Sequence, residues 1–269
     1  NLDGNRINQF IVEATKQRVQ ELERRLESVP DSDPDTQEDV SVRLENAQFS
    51  LDIAKDDVNV GPSKPLMDVL ALRGGPVFAA GAYGQLLRSN DSGRNWTYLG
   101  GNLNNPDGYH LNSLLMARDG SLYVAGEQGR VFVSQDLGET WKNISVVYDG
   151  SIFDMVQLPN SGTIVALGLR GNVFKLPEGG DEWQPVKTGF NETLSGALAL
   201  DDDSVVLVGA RGIVVRSTDG LETFSVARRP DKMPSSSAVQ LASDTLLLTG
   251  LRGLKKLDLG VFRQSDSID

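Results

Sequence analysis

Hydrophobic positions along this chain follow two rhythms, and the change falls near residue 61. Before it, Ile7, Ile11, Ala14, Leu22 and Leu26 recur at helical spacing, with Phe10 and Val19 at the margin of the same face. Val40, Leu44, Ala47, Leu51 and Ala54 then step by four and three, one stripe of a second amphipathic helix. Between the stripes, "VPDSDPDTQED" supplies two prolines, and Asp33 before Pro34 predicts an N-cap and a first helical residue. The pattern predicts an acidic helical hairpin over 1–60. It packs on itself or on the rest of the chain, or it offers an apolar face to a partner.

From Gly61 onward the helical period is gone. Apolar runs of five to seven residues alternate with Gly, Asp and Asn turns, which predicts an all-β region over 61–269. Paired glycines recur through it, in "GAYGQLLRS", "GEQGRVFVS", "GLRGNVFKL", "GARGIVVRS" and "GLRGLKKLD". The second glycine of each pair falls at 84, 129, 171, 212 and 253, spacings of 45, 42, 41 and 41. A repeat of that length, holding about four strands, predicts the blades of a β-propeller. In the second repeat the strands read as 112–118, 121–126, 130–135 and 140–147. Turns at Asp119-Gly120, at Glu127 to Gly129 and at Asp136 to Glu139 join them.

The last of those turns carries a motif. Ser89, Asp91, Gly93 and Trp96 recur as Ser134, Asp136, Gly138 and Trp141, placed between the third and fourth strands. Ser and Asp side chains there can bond turn amides, Gly can take the left-handed position, and Trp can pack on the sheet. Later copies decay: "KLPEGGDEW" lacks the Ser but keeps Trp183, and "STDGLETF" keeps Ser217 and Asp219 but has Phe224 for Trp. The fifth has lost the motif, although "LDLGVFRQ" can still close a hairpin. A catalytic set would not drift in this way between copies, whereas a turn-stabilising device can. The motif therefore reads as structural.

Charge and composition narrow the chemistry. The net charge of −11 excludes a phosphate-tracking nucleic-acid binder, which needs a basic face. Cysteine is absent and His110 is the only histidine, so neither a Cys-based nor a His-based metal cluster is predicted. Asp201, Asp202 and Asp203 lack calcium-loop spacing and read as a solvated turn. No cofactor is implied. No apolar run reaches the length of a membrane span. The chain opens "NLDGNRINQF" without Met, read as a processed or trimmed start that is compatible with a removed signal and a periplasmic location.

One position stands out. The residue before the second glycine is Tyr83, Gln128, Arg170, Arg211 and Arg252 in the five repeats. Repeat symmetry places these on the loops between second and third strands, on one propeller face and opposite the Ser-Asp turns. Arginine in three successive blades predicts docking of a carboxylate, a phosphate or an acidic peptide. The alternative is that each Arg bonds local carbonyls or a neighbouring acid.

Ser-x-Asp-x-Gly-x-x-Trp on four-stranded blades resembles the Asp-box, or bacterial neuraminidase repeat, of sialidases, sortilin-type receptors and photosystem II stability/assembly factor proteins. "VGPSKPLMDV", "AAGAYGQLLRSNDSGRNW" and "HLNSLLMARDGSLYVAGEQGRVFVSQDLGETW" are most similar to the last group, in its bacterial, non-photosynthetic branch. "ALGLRGNVFK" and "VGARGIVVRSTDG" extend the likeness over about 60–269. The resemblance implies that residues 1–60 are an acidic helical insertion and that the five repeats belong to a larger ring with blades upstream. It also implies a non-enzymatic, exported assembly factor acting on a membrane protein complex, such as a resistance-nodulation-division type exporter. The alternatives are a glycan- or ligand-binding propeller and a sialidase-like hydrolase. The hydrolase would need a Tyr nucleophile among Tyr83, Tyr98, Tyr109, Tyr123 and Tyr148, and none has a recognisable nucleophile setting.

Overall fold

The structure is a computed structural model that describes residues 4–30, 32–61 and 64–263. Its residues fall into two compact units, Asn1–Leu111 with Gly138–Trp141, and Asn112–Leu137 with Lys142–Asp269.

The first unit begins with the two expected helices, α1 (Gly4–Ser28) and α2 (Pro34–Val60). Asp33 caps α2, its Oδ1 accepting the Thr36 N–H at 3.2 Å, with Pro34 at the first helical position. The α2 stripe faces inward as predicted, with Val40 and Ala54 buried and Leu44, Ala47 and Leu51 half-buried. On α1 the buried line is Asn8, Ile11, Thr15, Val19 and Leu22, with Thr15 at its centre and Val19 buried at its edge. Two members of that line are polar, which is why a purely hydrophobic reading misplaces it. Thr15 is satisfied by donating to the Ile11 carbonyl at 2.7 Å, and the Asn8 amide donates to the carbonyls of Asp57 and Gly61. Ile7 has no described side chain.

The first sheet follows, ordered β1 (Leu66–Ala71), β2 (Val77–Gly81), β3 (Leu86–Ser89) and β4 (Thr97–Tyr98), all antiparallel. Ile11 and Ala54 pack with Ala79 and Leu87, flanked by Trp96 and Tyr98. Helical hairpin and first blade thus share one core.

The second unit holds the other four sheets. The second blade is β5 (Leu111–Met116), β6 (Leu122–Gly126), β7 (Val131–Ser134) and β8 (Lys142–Asn143). The third is β9 (Ile152–Gln157), β10 (Ile164–Gly168), β11 (Val173–Leu176) and β12 (Gln184–Val186). The fourth is β13 (Leu194–Ala199), β14 (Val205–Gly209), β15 (Ile213–Ser217) and β16 (Ser225–Arg228). The fifth is β17 (Ser237–Ala242), β18 (Thr245–Gly250) and β19 (Gly253–Asp258).

Packing explains why the second strands are continuously apolar instead of alternating. All five residues of β14 are buried. Val205 and Leu207 enter a core with Val165, Leu167 and Val173 of the third blade, whereas Val206 and Val208 enter one with Ala238, Leu246 and Leu248 of the fifth. In β10, Ile164 and Ala166 likewise face second-blade residues, and Val165 and Leu167 face fourth-blade ones. A strand covered on both faces needs apolar side chains on both. Each fully buried Leu or Val there contributes about 1.5–3 kcal/mol.

Two strand expectations are corrected. The fourth strand of the second blade, read as 140–147, is only β8. Asn143 ends it by accepting the N–H and hydroxyl of Ser145 at 2.9 and 2.6 Å, a local turn that competes with the ladder. Among the described residues the fifth sheet has three strands. The expected closing hairpin is a short 3₁₀ helix over Leu259–Arg263, where Leu259 and Phe262, three residues apart, are buried in the core between fourth and fifth blades. Among the described residues no helix is long and apolar enough to cross a membrane.

Candidate functional site

The G-x-x-G loops are built the same way in the first four blades. Tyr83, Gln128, Arg170 and Arg211 have φ of 57, 54, 56 and 53°, and the glycines after them have φ of 71, 61, 72 and 70°. The carbonyl before each pair accepts the N–H after it, as in Leu169 O from Asn172 N at 3.1 Å. Two consecutive left-handed residues closed by that bond make a type I′ turn, whose twist suits a tight hairpin. The second glycine has a further reason to lack a side chain, since a Cβ on Gly171 would lie 2.2 Å from the Phe190 carbonyl oxygen. The first glycine has extended backbone and is needed for room: a Cβ on Gly168 would lie 2.1 Å from the Ser151 carbonyl oxygen.

A left-handed conformation costs a non-glycine residue about 1–2 kcal/mol. It also aims the side chain away from the sheet. Gln128, Arg170 and Arg211 are exposed, at equivalent positions of three successive blades in the second unit. The arginines Arg118, Arg216, Arg228 and Arg229 of that unit pair with Glu178, Asp202, Glu192 and Asp231. Arg170, Arg211 and Arg252 differ. Among the described residues none of them makes a hydrogen bond or ion pair, and the charge of Arg170 reaches the Tyr148 hydroxyl only through space. The local carbonyls and neighbouring acids that could have held them do not.

Arg252 departs from the symmetry. Gly250 pairs directly with Gly253, and Gly253 takes φ 84° while Arg252 is not left-handed. Its side chain is exposed beside Leu251, on a turn of another kind. In the first unit, Tyr83 is 58% exposed, its ring 4.9 Å from the His110 ring and edge-on to it, with the Lys64 ammonium 5.1 Å from its centroid. That aromatic-cation group was not foreseen, because Lys64 and His110 belong to no repeat.

The Ser-Asp turns lie at the other end of the strands. Ser89 Oγ donates to Asp91 Oδ1 at 2.8 Å and accepts the Gly93 N–H at 2.8 Å. Asp91 also accepts the N–H groups of Arg94 and Asn95 and the Asn95 side-chain amide. Those bonds, led by the Asn95 backbone, hold its carboxyl down at about 2. Trp96 and Trp141 donate through Nε1 to the Gly93 and Gly138 carbonyls, both at 3.1 Å, and Ser134 donates to Asp136 at 2.7 Å. In the fourth blade Ser217 and Asp219 rebuild the turn with Leu221, φ 73°, where the others have glycine. Thr223 supplies the strongest bonds to Asp219, whose carboxyl is also lowered to about 2. Trp183 is buried at its Nε1 without a hydrogen-bond partner, as its copy of the turn has lost Ser and Asp. The side chains of Ser89, Asp91, Ser217 and Asp219 make their hydrogen bonds within their own turns.

A second network was missed from sequence. Asp154 on β9 accepts Ser113 Oγ from β5 at 3.3 Å and the Ala197 N–H from β13 at 2.8 Å, joining the first strands of three blades. The signal was the third residue of each first strand, Asp68, Ser113, Asp154 and Gly196, where short side chains accompany an acid. The triple aspartate is also more than a solvated turn. Asp203 accepts the N–H groups of Asn160 and Ser161 from the third blade, and Asp202 pairs with Arg216.

The tyrosines show no activation. Burial pushes the Tyr98 hydroxyl up to about 12, as it lies against Gly100, and burial also raises Tyr123 and Tyr148. Tyr148 donates to the Leu169 carbonyl at 3.2 Å. No group of three or more His, Asp or Glu is placed to hold a metal ion among the described residues.

No protein-family profile and no curated protein matches the chain. Solved structures do. The chain is similar to YCF48 bound to D1 peptide, at 15% identity over 73% of this chain and 67% of that one, with a TM-score of 0.54. It is similar to the WD40 repeats of RRP9, at 10% identity over 74% and 62%, with a TM-score of 0.62. An ancestral GH74 enzyme matches at 18% identity over 70% of this chain and 28% of its own, with a TM-score of 0.57. The chain thus spans about two thirds or less of the length of these structures. At such identities the likeness is one of fold: the protein is a β-propeller carrying a helical hairpin.

Proposed function

We propose that the protein is a non-catalytic interaction scaffold that captures an acidic peptide segment of a partner on the face bearing Gln128, Arg170, Arg211 and Arg252. The observation that carries the reading is that three exposed guanidinium groups stand without partners among the described residues of an acidic protein, two of them on strained turns. Guanidinium forks bind carboxylates bidentately, and unpaired ones lose no internal bond on doing so. The structural neighbour YCF48, bound to a peptide, supports peptide capture as a use of this fold. In the finer reading the protein works outside the cytoplasm in the assembly of a membrane protein complex, of which a resistance-nodulation-division exporter is one candidate. The turns at Ser89, Ser134 and Ser217 hold blades together and touch no partner.

The test uses fluorescence anisotropy with two labelled peptides of equal length, one rich in Asp and Glu and one rich in Lys. The acidic peptide is expected to bind with an affinity that falls as salt rises. The triple variant Arg170→Ala, Arg211→Ala, Arg252→Ala is expected to weaken it at least about tenfold, with thermal unfolding unchanged. Equal binding by the triple variant, or equal binding of both peptides, refutes the reading.

A further inference from the structure

Helix α2 has two apolar faces. One, through Val40, Leu44, Ala47, Leu51 and Ala54, is turned inward. The other consists of Val42, Phe49, Ile53 and Val60, each two residues beyond a member of the inward line or its continuation, and therefore on the opposite side of the helix. Their exposures are 51, 65, 40 and 76%. Spaced by seven, four and seven, they form one stripe about 27 Å long. Scattered surface apolar residues need no explanation, but a stripe at helical period on a single element does. It is the pattern by which one helix receives another.

The charges beside the stripe say what fits there. Glu38, Glu45 and Asp56 line one edge of it, exposed and without ion pairs among the described residues. The two basic residues nearby are already engaged, Arg43 with Asp39 at 3.0 Å and Lys55 with Asp52 at 3.0 Å. An acidic edge along an apolar stripe repels a second copy of itself, and it repels an anionic lipid surface. It attracts a helix whose apolar stripe is bordered by Lys or Arg. We infer that the outer face of α2 is a docking site for a basic amphipathic helix of a partner protein, separate from the arginine-bearing turns and opposite to them in charge preference.

The test uses the full chain and a synthetic 21-residue amphipathic peptide with a leucine stripe bordered by lysines, titrated calorimetrically. The control is the same peptide bordered by glutamates. Saturable one-to-one binding of the lysine peptide is expected. Phe49→Ser with Ile53→Ser should weaken it at least about tenfold while helical circular dichroism is unchanged. Should that pair disturb α2, Glu45→Lys with Asp56→Lys leaves the apolar stripe intact and is expected to weaken the lysine peptide and strengthen the glutamate one. The inference is overturned by absence of saturable binding, by equal binding of the two peptides, or by binding indifferent to both variant pairs. It is overturned as well if sedimentation shows a dimer that Phe49→Ser dissolves, or if phosphatidylglycerol vesicles bind in a Phe49-dependent way. The arginine variants of the preceding section should leave this binding unchanged, so either reading can fail alone.

Discussion

Replacing Arg211 or Arg170 by glycine separates the backbone role of these positions from their side-chain role. Each residue is left-handed, at φ 53 and 56°, and neither guanidinium makes an internal bond. Removing the side chain therefore relieves about 1–2 kcal/mol of backbone strain. Against that, glycine adds freedom to the unfolded chain, worth about 0.5–1 kcal/mol. The net expectation is neutral to about 1.5 kcal/mol of added stability per site, with capture of the acidic peptide weakened. Arg252→Gly is the internal control. Arg252 is equally unpaired but not left-handed, so only the unfavourable entropy remains and the variant loses about 0.5–1 kcal/mol. The glycine contribution cancels between Arg211→Gly and Arg252→Gly, leaving a difference of about 1–2 kcal/mol. In thermal unfolding followed by tryptophan fluorescence, that places the two midpoints at least about 2 °C apart, with Arg211→Gly higher. Coincident midpoints, or a higher one for Arg252→Gly, would refute the assignment of strain to the turn.

Two further outcomes follow from the Ser-Asp turns. Ser217 is buried, donates to Asp219 at 2.9 Å and accepts the Leu221 N–H at 3.1 Å, so Ser217→Ala leaves a buried donor unsatisfied and costs about 1–3 kcal/mol in urea unfolding. Asp91 and Asp219 titrate near 2 in the fold against 3.8 for the ordinary group, so the stability they contribute is present above about pH 4 and is lost as the pH falls toward 2. Asp91→Asn with Asp219→Asn should accordingly flatten the fall of the unfolding midpoint between pH 4 and 2, and a slope equal to that of the parent protein counts against it.

What could be read from the sequence was whatever recurs. Gly84, Gly129, Gly171 and Gly212 mark a turn that backbone geometry forces on every copy, so their spacing exposed the blades. The inward line of α2 was equally legible, being wholly apolar. On α1 the same line was obscured because Asn8 and Thr15 sit in it and hide their polarity in local hydrogen bonds. Glycine spacing did not distinguish Arg252 from Arg211, because Gly250 and Gly253 close their turn by direct pairing. Nor did it show that the chain after β19 would turn into a short helix, which follows from Leu259 and Phe262 finding a core to enter. The Asp154 network was out of reach for a different reason: its partners Ser113 and Ala197 are about forty residues away on either side, and only the fold brings them into register.

Because the type I′ turn is held by its own backbone bond and by the glycine after it, the residue ahead of that glycine is relieved of any structural duty. Tyr, Gln and Arg all occupy the place without altering the hairpin beneath. Each of the first four blades therefore carries an interchangeable residue on an invariant mount. Under the proposed capture, exchanging that residue would alter which peptide is held, with the interior never consulted.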